Sequence, residues 1–515
     1  MSVSTVASTV VGLAGLVGAG LVGRNPSHPP RSRGNGFRHA MPTARRPRAP
    51  MRQGLATGRR GDRDTAVARW ARPADLRSLP VGRRGARRIQ TAKRAAPGRL
   101  VLGWAGSRLL AAEPRQSVIV FGPTQSRKTS GFAVPSILEW EGPVIATSVK
   151  ADLVGDTIAY RRRLGEVACF DPSGSTGLPS AGWSPLPAAR SWPGARRVAS
   201  SMTDVGKTSV GTMGDGDFWY ATAAKMLAPL LFAAASGGRQ MTDVVRWVDT
   251  QEESEVLELL YAAGVPEAVA AALSLFGKEE RQRSSIYTTA ETILEPFADE
   301  PGGGVGGDGP DIEASRLVSG HNTLYLCAPA HDQRRLSPLF TAVLRQVLEH
   351  VYDSVTRTGC ALDPPLLVVL DEAANIAPLA DLDAVAATAA SHGVQLVSIW
   401  HDLAQITARY GARSATVVNN HRAKVFLSGI SDPSTLDYAS HLIGDEEVLL
   451  PAFTSGGQGG PTTTRSSSSR RLAPPHALRR IPPGEGVLVY GGLPPAWLRL
   501  RTFFDDPVLA GRASG

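Results

Sequence analysis

Short runs of consecutive apolar residues recur along this chain, and most of them end at a glycine, a proline or a carboxylate. Residues 118–121, 144–147, 167–170, 323–327, 366–370, 394–400 and 425–428 have the length and the β-branched content of strands buried on both faces. Helical spacing falls between them at 151–163, 338–352 and 382–390, and alternation of this kind predicts an α/β domain around a mostly parallel sheet. Further strands are expected at 100–104, 486–490 and 497–503. Between 194 and 298 the strand signals stop. Helices are expected there at 255–263, 266–276 and 284–297. Asp217 is expected to cap another, which carries Phe218, Trp219, Met226, Leu227 and Leu230, is interrupted by Pro229 and is stopped by Gly237. This reads as an all-α domain inserted into the α/β domain, with the glycine-dominated stretch 302–309 as the return linker. The expected division is therefore 66–193 and 301–505 for the two parts of the α/β domain and 194–300 for the insert. Residues 454–470, a Gly, Thr and Ser tract, are expected to be a disordered loop. Pro135 is expected to kink the helix that follows Thr129.

Charge changes the picture at the N-terminus. Residues 1–23 carry no charged side chain, and residues 10–22 are Val, Ala, Leu and Gly throughout. No Lys or Arg precedes the apolar run, which argues against a cleavable signal peptide and for an uncleaved membrane anchor. Residues 24–99 hold 21 Lys or Arg and three acids, a local +18 in a chain whose net charge is +10, which leaves −8 elsewhere. The basic character thus belongs to one segment. Its Pro, Arg, Gly and Ser composition over 24–65 suits a disordered linker held against anionic lipid or nucleic-acid phosphates. The positive-inside rule places the bulk of the chain in the cytoplasm, behind a single membrane pass. Three widely separated cysteines make no disulfide framework.

Two motifs carry chemistry. The first apolar run breaks at Gly122 into Gly122-Pro123-Thr124-Gln125-Ser126-Arg127-Lys128-Thr129-Ser130, a strand, loop and helix layout that resembles a P-loop except that Arg127 stands at the second glycine. Backbone N–H groups of such a loop point at phosphates, Lys128 is placed to neutralise the β and γ phosphates of ATP, and the Thr129 hydroxyl is placed to take one position on Mg²⁺. The second motif is Asp371-Glu372 at the carboxyl end of the run 366–370, the edge where open α/β sheets bind ligands. There Asp371 is placed to help hold Mg²⁺ and Glu372 to polarise the attacking water, so that a triphosphate is gripped between Lys128 and the acid pair of a neighbouring strand. One strand further on, His401 and Gln405 follow the run 394–400, where an imidazole or an amide can sense the γ-phosphate or orient water.

The order Gly122 to Gly131, Thr147-Ser-Val-Lys-Ala-Asp-Leu153, Asp217-Phe-Trp219, Leu367-Val-Val-Leu-Asp-Glu-Ala373 and Trp400-His-Asp-Leu-Ala-Gln405 resembles the TraG/TraD-type coupling ATPases of type IV secretion and conjugation. The resemblance spans roughly 66–504. It implies a RecA-like P-loop NTPase domain with an inserted all-α domain and an N-terminal membrane anchor. It also implies a homo-hexameric, ATP-driven DNA translocase that couples single-stranded DNA and its relaxase to the secretion channel proteins, and it implies the sensor role for Gln405. The departures are Arg127, His401 where the family often has glutamine, a single visible anchor, and no Arg or Lys in 385–392, where the family usually carries an arginine finger. Arg334, Arg335, Arg409 and Arg422 are the other candidates for that finger. Two rival readings keep the fold: a non-hydrolysing secretion adaptor with a degenerate P-loop, and a chromosome-partitioning DNA translocase.

Overall fold

The computed structural model describes residues 67–81, 98–203, 215–298, 311–454 and 462–514. The expected anchor 1–23, the basic linker 24–65 and the glycine stretch 302–309 lie outside the described residues.

The described residues form thirteen strands: β1 (Val101–Ala105), β2 (Arg108–Ala111), β3 (Val118–Phe121), β4 (Val144–Ser148), β5 (Val167–Phe170), β6 (Thr323–Cys327), β7 (Leu366–Leu370), β8 (Val394–Trp400), β9 (Ala423–Leu427), β10 (Asp445–Thr454), β11 (Thr462–Arg471), β12 (Glu485–Tyr490) and β13 (Ala496–Arg499). Eleven of them make one sheet in the order β2-β1-β13-β12-β9-β3-β8-β7-β4-β6-β5. From β9 to β5 all neighbours are parallel, and from β9 to β2 they are antiparallel. The seven parallel strands are the apolar runs, almost wholly buried, because both faces are covered. Alternate residues feed two cores. Ile119, Ile145, Leu324, Val368 and Leu396 face one layer, while Val118, Val144, Tyr325, Val369 and Val397 face the other.

The first layer includes the helices between Trp192 and Ala298. Among these, Asp215–Ser236 starts two residues before the expected cap and runs through Pro229. Its stretch Phe218–Ser236 is long and apolar enough to cross a bilayer, but 56% of it is buried, and Met226, Leu227, Leu230 and Leu231 are fully enclosed by neighbouring helices. It is the core of the helical block.

Three expectations need correction. Pro135 does not kink a continuous helix. A π-turn over Thr129–Ala133 precedes the α-helix Val134–Glu139, so Pro135 falls in its first turn, where a missing N–H removes little. The expected helix 151–163 is two short helices, Ala151–Gly155 and Ile158–Leu164, and the Thr157 hydroxyl between them donates to the Leu153 carbonyl at 2.6 Å. Residues 462–470 of the tract expected to be a disordered loop lie in strand β11, and 455–461 lie outside the described residues. β10 and β11 pair antiparallel from Asp445↔Arg471 to Thr454↔Thr462 in a separate two-stranded ribbon. Its base is held by opposite charges across the strands: Arg470 meets Glu446 at 2.7 Å and Arg471 meets Asp445 at 3.5 Å.

Candidate functional site

β3 lies between β9 and β8 in the sheet, and β7 lies beyond β8. The P-loop and the acid pair therefore leave the same sheet edge two strands apart, with the end of β8 between them.

The loop after β3 is tight from its first residue. The Gly122 N–H donates to the Trp400 carbonyl at 2.9 Å, and a Cβ on Gly122 would collide with the Ser126 side chain. Ser126 N–H donates to the Pro123 carbonyl at 3.2 Å, closing the turn. Gln125 and Arg127 adopt left-handed backbone with φ of 68° and 66°. The second glycine of the usual pattern is thus replaced by a residue that still takes the glycine conformation, at a cost of roughly 1–2 kcal/mol for a side chain. The Arg127 side chain turns toward the C-terminal segment: its guanidinium carbon lies 5.7 Å from the Phe504 ring centre and Nη1 lies 3.8 Å from Asp505 Oδ2.

The expected partners converge. Lys128 Nζ donates to Glu372 Oε1 at 2.6 Å, and Thr129 Oγ1 donates to Asp371 Oδ2 at 2.7 Å. These contacts join residues 244 and 242 positions apart. Thr147, at the end of β4, fixes the Asp371 backbone by donating to its carbonyl at 2.8 Å. Glu372 itself is left-handed at φ 58°, which turns the chain sharply off β7. Burial pushes the Asp371 carboxyl above its ordinary range, against the Thr129 hydrogen bond and the Lys128 charge. Burial also raises Glu372, but hydrogen bonds from Lys128 and His401 outweigh it and hold that carboxyl below its usual value.

A cavity of about 420 Å³ opens beside this cluster. Thr124, Gln125, Arg127, Lys128, Thr129 and Ser130 form one wall, with Asp371 and Glu372 at the far end. Gly122, Pro123 and Ser126 shape the loop from behind. Lys150, Asp152 and Asp156 complete the opposite wall; Lys150 and Asp152 belong to the stretch Thr147–Leu153 quoted above without a role, and Asp156 was not singled out because nothing local ties it to the P-loop. Burial and the neighbouring Asp152 raise the Asp156 carboxyl.

Gln405 does not reach the cavity. Its Oε1 accepts the His401 N–H at 2.9 Å, and its own N–H is capped by Asp402 at 2.9 Å. His401 takes the forward position, with Nε2 2.8 Å from Glu372 Oε1. The sequence placed both residues past β8, but only the fold shows which one touches the carboxylate. Among the arginines, Arg334 and Arg335 open the helix Gln333–Thr358 on the same sheet edge as the site. Arg409 is bonded to the Pro378 carbonyl at 3.0 Å, and Arg422 pairs with Glu113 at 3.2 Å at the start of β9, on the opposite edge.

Residues 69–514 match the family described as "Type IV secretory system Conjugative DNA transfer". The chain is 22% identical over 511 residues to conjugal transfer protein TraG of Escherichia coli, covering 89% of this chain and 79% of that protein. It is 24% identical over 427 residues to protein VirD4 of Agrobacterium fabrum, covering 79% of this chain and 61% of that one. In three dimensions it resembles the bacterial conjugative coupling protein TrwBdeltaN70, with a TM-score of 0.60 at 17% identity over 85% of this chain and 94% of the other. It resembles TrwB in complex with ADP and Mg²⁺ to the same score, at 16% identity over 84% and 94% of the two chains. The likeness to TrwB shows a shared RecA-like fold, while the match over 69–514 assigns the lineage: the chain belongs to the conjugative DNA transfer family of type IV secretory systems.

Proposed function

We propose that this chain binds ATP with Mg²⁺ between the P-loop and β7 and hydrolyses it to drive single-stranded DNA, delivered with its relaxase, into a type IV secretion channel. One observation carries the reading: Lys128 and Thr129 meet Glu372 and Asp371 at 2.6 and 2.7 Å on the wall of a single cavity.

The residues present fit the metal. Asp371 Oδ1 is buried with no hydrogen-bond partner among the described residues, and Oδ2 is shared with the Thr129 hydroxyl. Hard oxygens so placed suit a small divalent cation. Mg²⁺ bound there supplies charge neutralisation to the transferring phosphoryl group. Lys128 is engaged by Glu372, so binding a triphosphate exchanges that carboxylate for phosphate oxygens. Glu372 then keeps His401 as its partner and takes the proton of the attacking water, with His401 holding the carboxylate in place. Gln405 acts one step back, by fixing the His401 backbone. The TrwB complexes with ADPNP, with ADP and Mg²⁺ and with the GTP analogue GDPNP support a nucleotide and Mg²⁺ at this site.

Residues 66–193 and 301–505 form the motor, 194–300 its helical insert, 24–65 the basic linker and 1–23 a single-pass anchor in the cell membrane, with six copies working as a ring. The test is ATP hydrolysis by the purified full-length chain with and without single-stranded DNA. Turnover stimulated by DNA and abolished by Lys128→Ala is expected, because the charge facing the β and γ phosphates is lost. Equal turnover in variant and wild type, or none in either, would remove the motor reading.

A further inference from the structure

Arg127 borders a second cavity, of about 530 Å³, on the side of the P-loop away from Asp371 and Glu372. Its walls come from the antiparallel side of the sheet and from the segment that follows it: Trp104, Glu485, Arg499, Thr502 and Asp505. That segment is fastened to the P-loop helix. Phe503 N–H donates to the Ser130 carbonyl at 3.0 Å, and Leu500 packs so closely on Gly131 that a Cβ there would stand 2.8 Å from Leu500 Cδ1. Next in the chain, Phe504 is 50% exposed, with the Arg127 guanidinium over its ring. Gly484, with φ at 85°, leaves room for that guanidinium, since a Cβ there would lie 3.3 Å from Arg127 Nη1.

A P-loop cradles the α and β phosphates with its backbone and reaches the β and γ phosphates with its lysine. The γ end therefore faces Glu372, and the α-phosphate with its nucleoside leaves on the other side, past Ser130 and toward Phe504. An exposed aromatic ring and a planar guanidinium are the two surfaces on which any nucleobase stacks without its edge being read. We propose that Arg127 and Phe504 form the nucleoside site of the bound triphosphate, with the base stacked on the Phe504 ring beside the Arg127 guanidinium. The residue that breaks the P-loop pattern then has a binding role, because its left-handed backbone preserves the phosphate loop while its side chain serves the nucleoside. This rests on the P-loop reading above and assigns it two further residues.

The test is calorimetric titration of the full-length chain with Mg-ATP and, separately, with Mg-tripolyphosphate, which keeps the phosphates and lacks the nucleoside. Phe504→Ala is expected to weaken ATP binding about tenfold or more and to leave tripolyphosphate binding unchanged, while Phe504→Tyr keeps the ATP affinity. Unaltered ATP affinity in Phe504→Ala, or equal losses for both ligands, would overturn the proposal. Equal affinity of the wild type for the two ligands would overturn it and spare the P-loop reading, whereas binding of neither would overturn both.

Discussion

Glu372→Gln separates the two jobs given to that carboxylate. The substitution keeps the shape and removes the charge that holds Lys128 at 2.6 Å, in a pair whose side chains are 9% and 17% exposed. A hydrogen bond between two charged groups at this burial contributes roughly 1.5–3 kcal/mol, and the one that glutamine can still accept from the ammonium, charged on the donor side only, contributes about 1 kcal/mol less. Lys128 is therefore easier to detach by about 1 kcal/mol or somewhat more, which tightens Mg-ATP binding roughly fivefold. The same change removes the proton acceptor for water, and hydrolysis falls by about 10²- to 10⁴-fold. Binding of a fluorescent ATP analogue and steady-state phosphate release, measured on one preparation whose circular dichroism matches the wild type, give both numbers. Tighter binding with lost turnover is expected. Weaker binding in Glu372→Gln would refute the exchange of Lys128 between carboxylate and phosphate, and turnover above a tenth of the wild type would refute Glu372 as the proton acceptor.

Other predictions follow from the same geometry. His401→Ala should lower kcat with little change in ATP affinity, and Gln405→Ala should cost less, because Gln405 holds only the His401 backbone. A larger loss in Gln405→Ala would restore Gln405 as the sensor. His421 is buried, with Nδ1 donating to the Val417 carbonyl at 2.7 Å and Nε2 accepting from Ser398 at 3.0 Å. Burial pushes it down to about 4 from 6.5, against the Val417 hydrogen bond and with help from the Lys424 charge. Below pH 6.5 the unfolded chain takes up a proton that the folded chain refuses until about pH 4, so stability falls across that window by up to ~3 kcal/mol. Urea unfolding at pH 7 and pH 5 should show a smaller drop in His421→Gln than in the wild type, and equal drops would exclude His421 as the source.

Strands β3, β5, β6, β7 and β8 were legible to the residue, because each is a short apolar run cut off by a change of chemistry and each is buried on both faces. β2 was missed, being four residues opened by Arg108 in a turn-rich stretch. The β10–β11 ribbon was misread because a Ser and Thr tract without apolar residues shows no core-forming pattern. What holds it is a ladder to a strand lying earlier in the chain, with Glu446 and Asp445 facing Arg470 and Arg471. Composition reports the absence of a core, and it does not report backbone pairing.

The sequence alone determined the phosphate loop and the acid pair, since a glycine break before Lys128-Thr129 and two carboxylates after an all-apolar strand are local signals that need no partner to be read. Tertiary structure decided everything that depends on which strands stand side by side. By inserting β8 between β3 and β7 it set His401, and not Gln405, against Glu372. By folding the segment after β13 onto Ser130 it gave the Arg127 side chain a partner 377 positions away in Phe504. Propensity and periodicity act over a few residues, whereas these contacts are chosen by strand order, which is settled only when the whole sheet is buried at once.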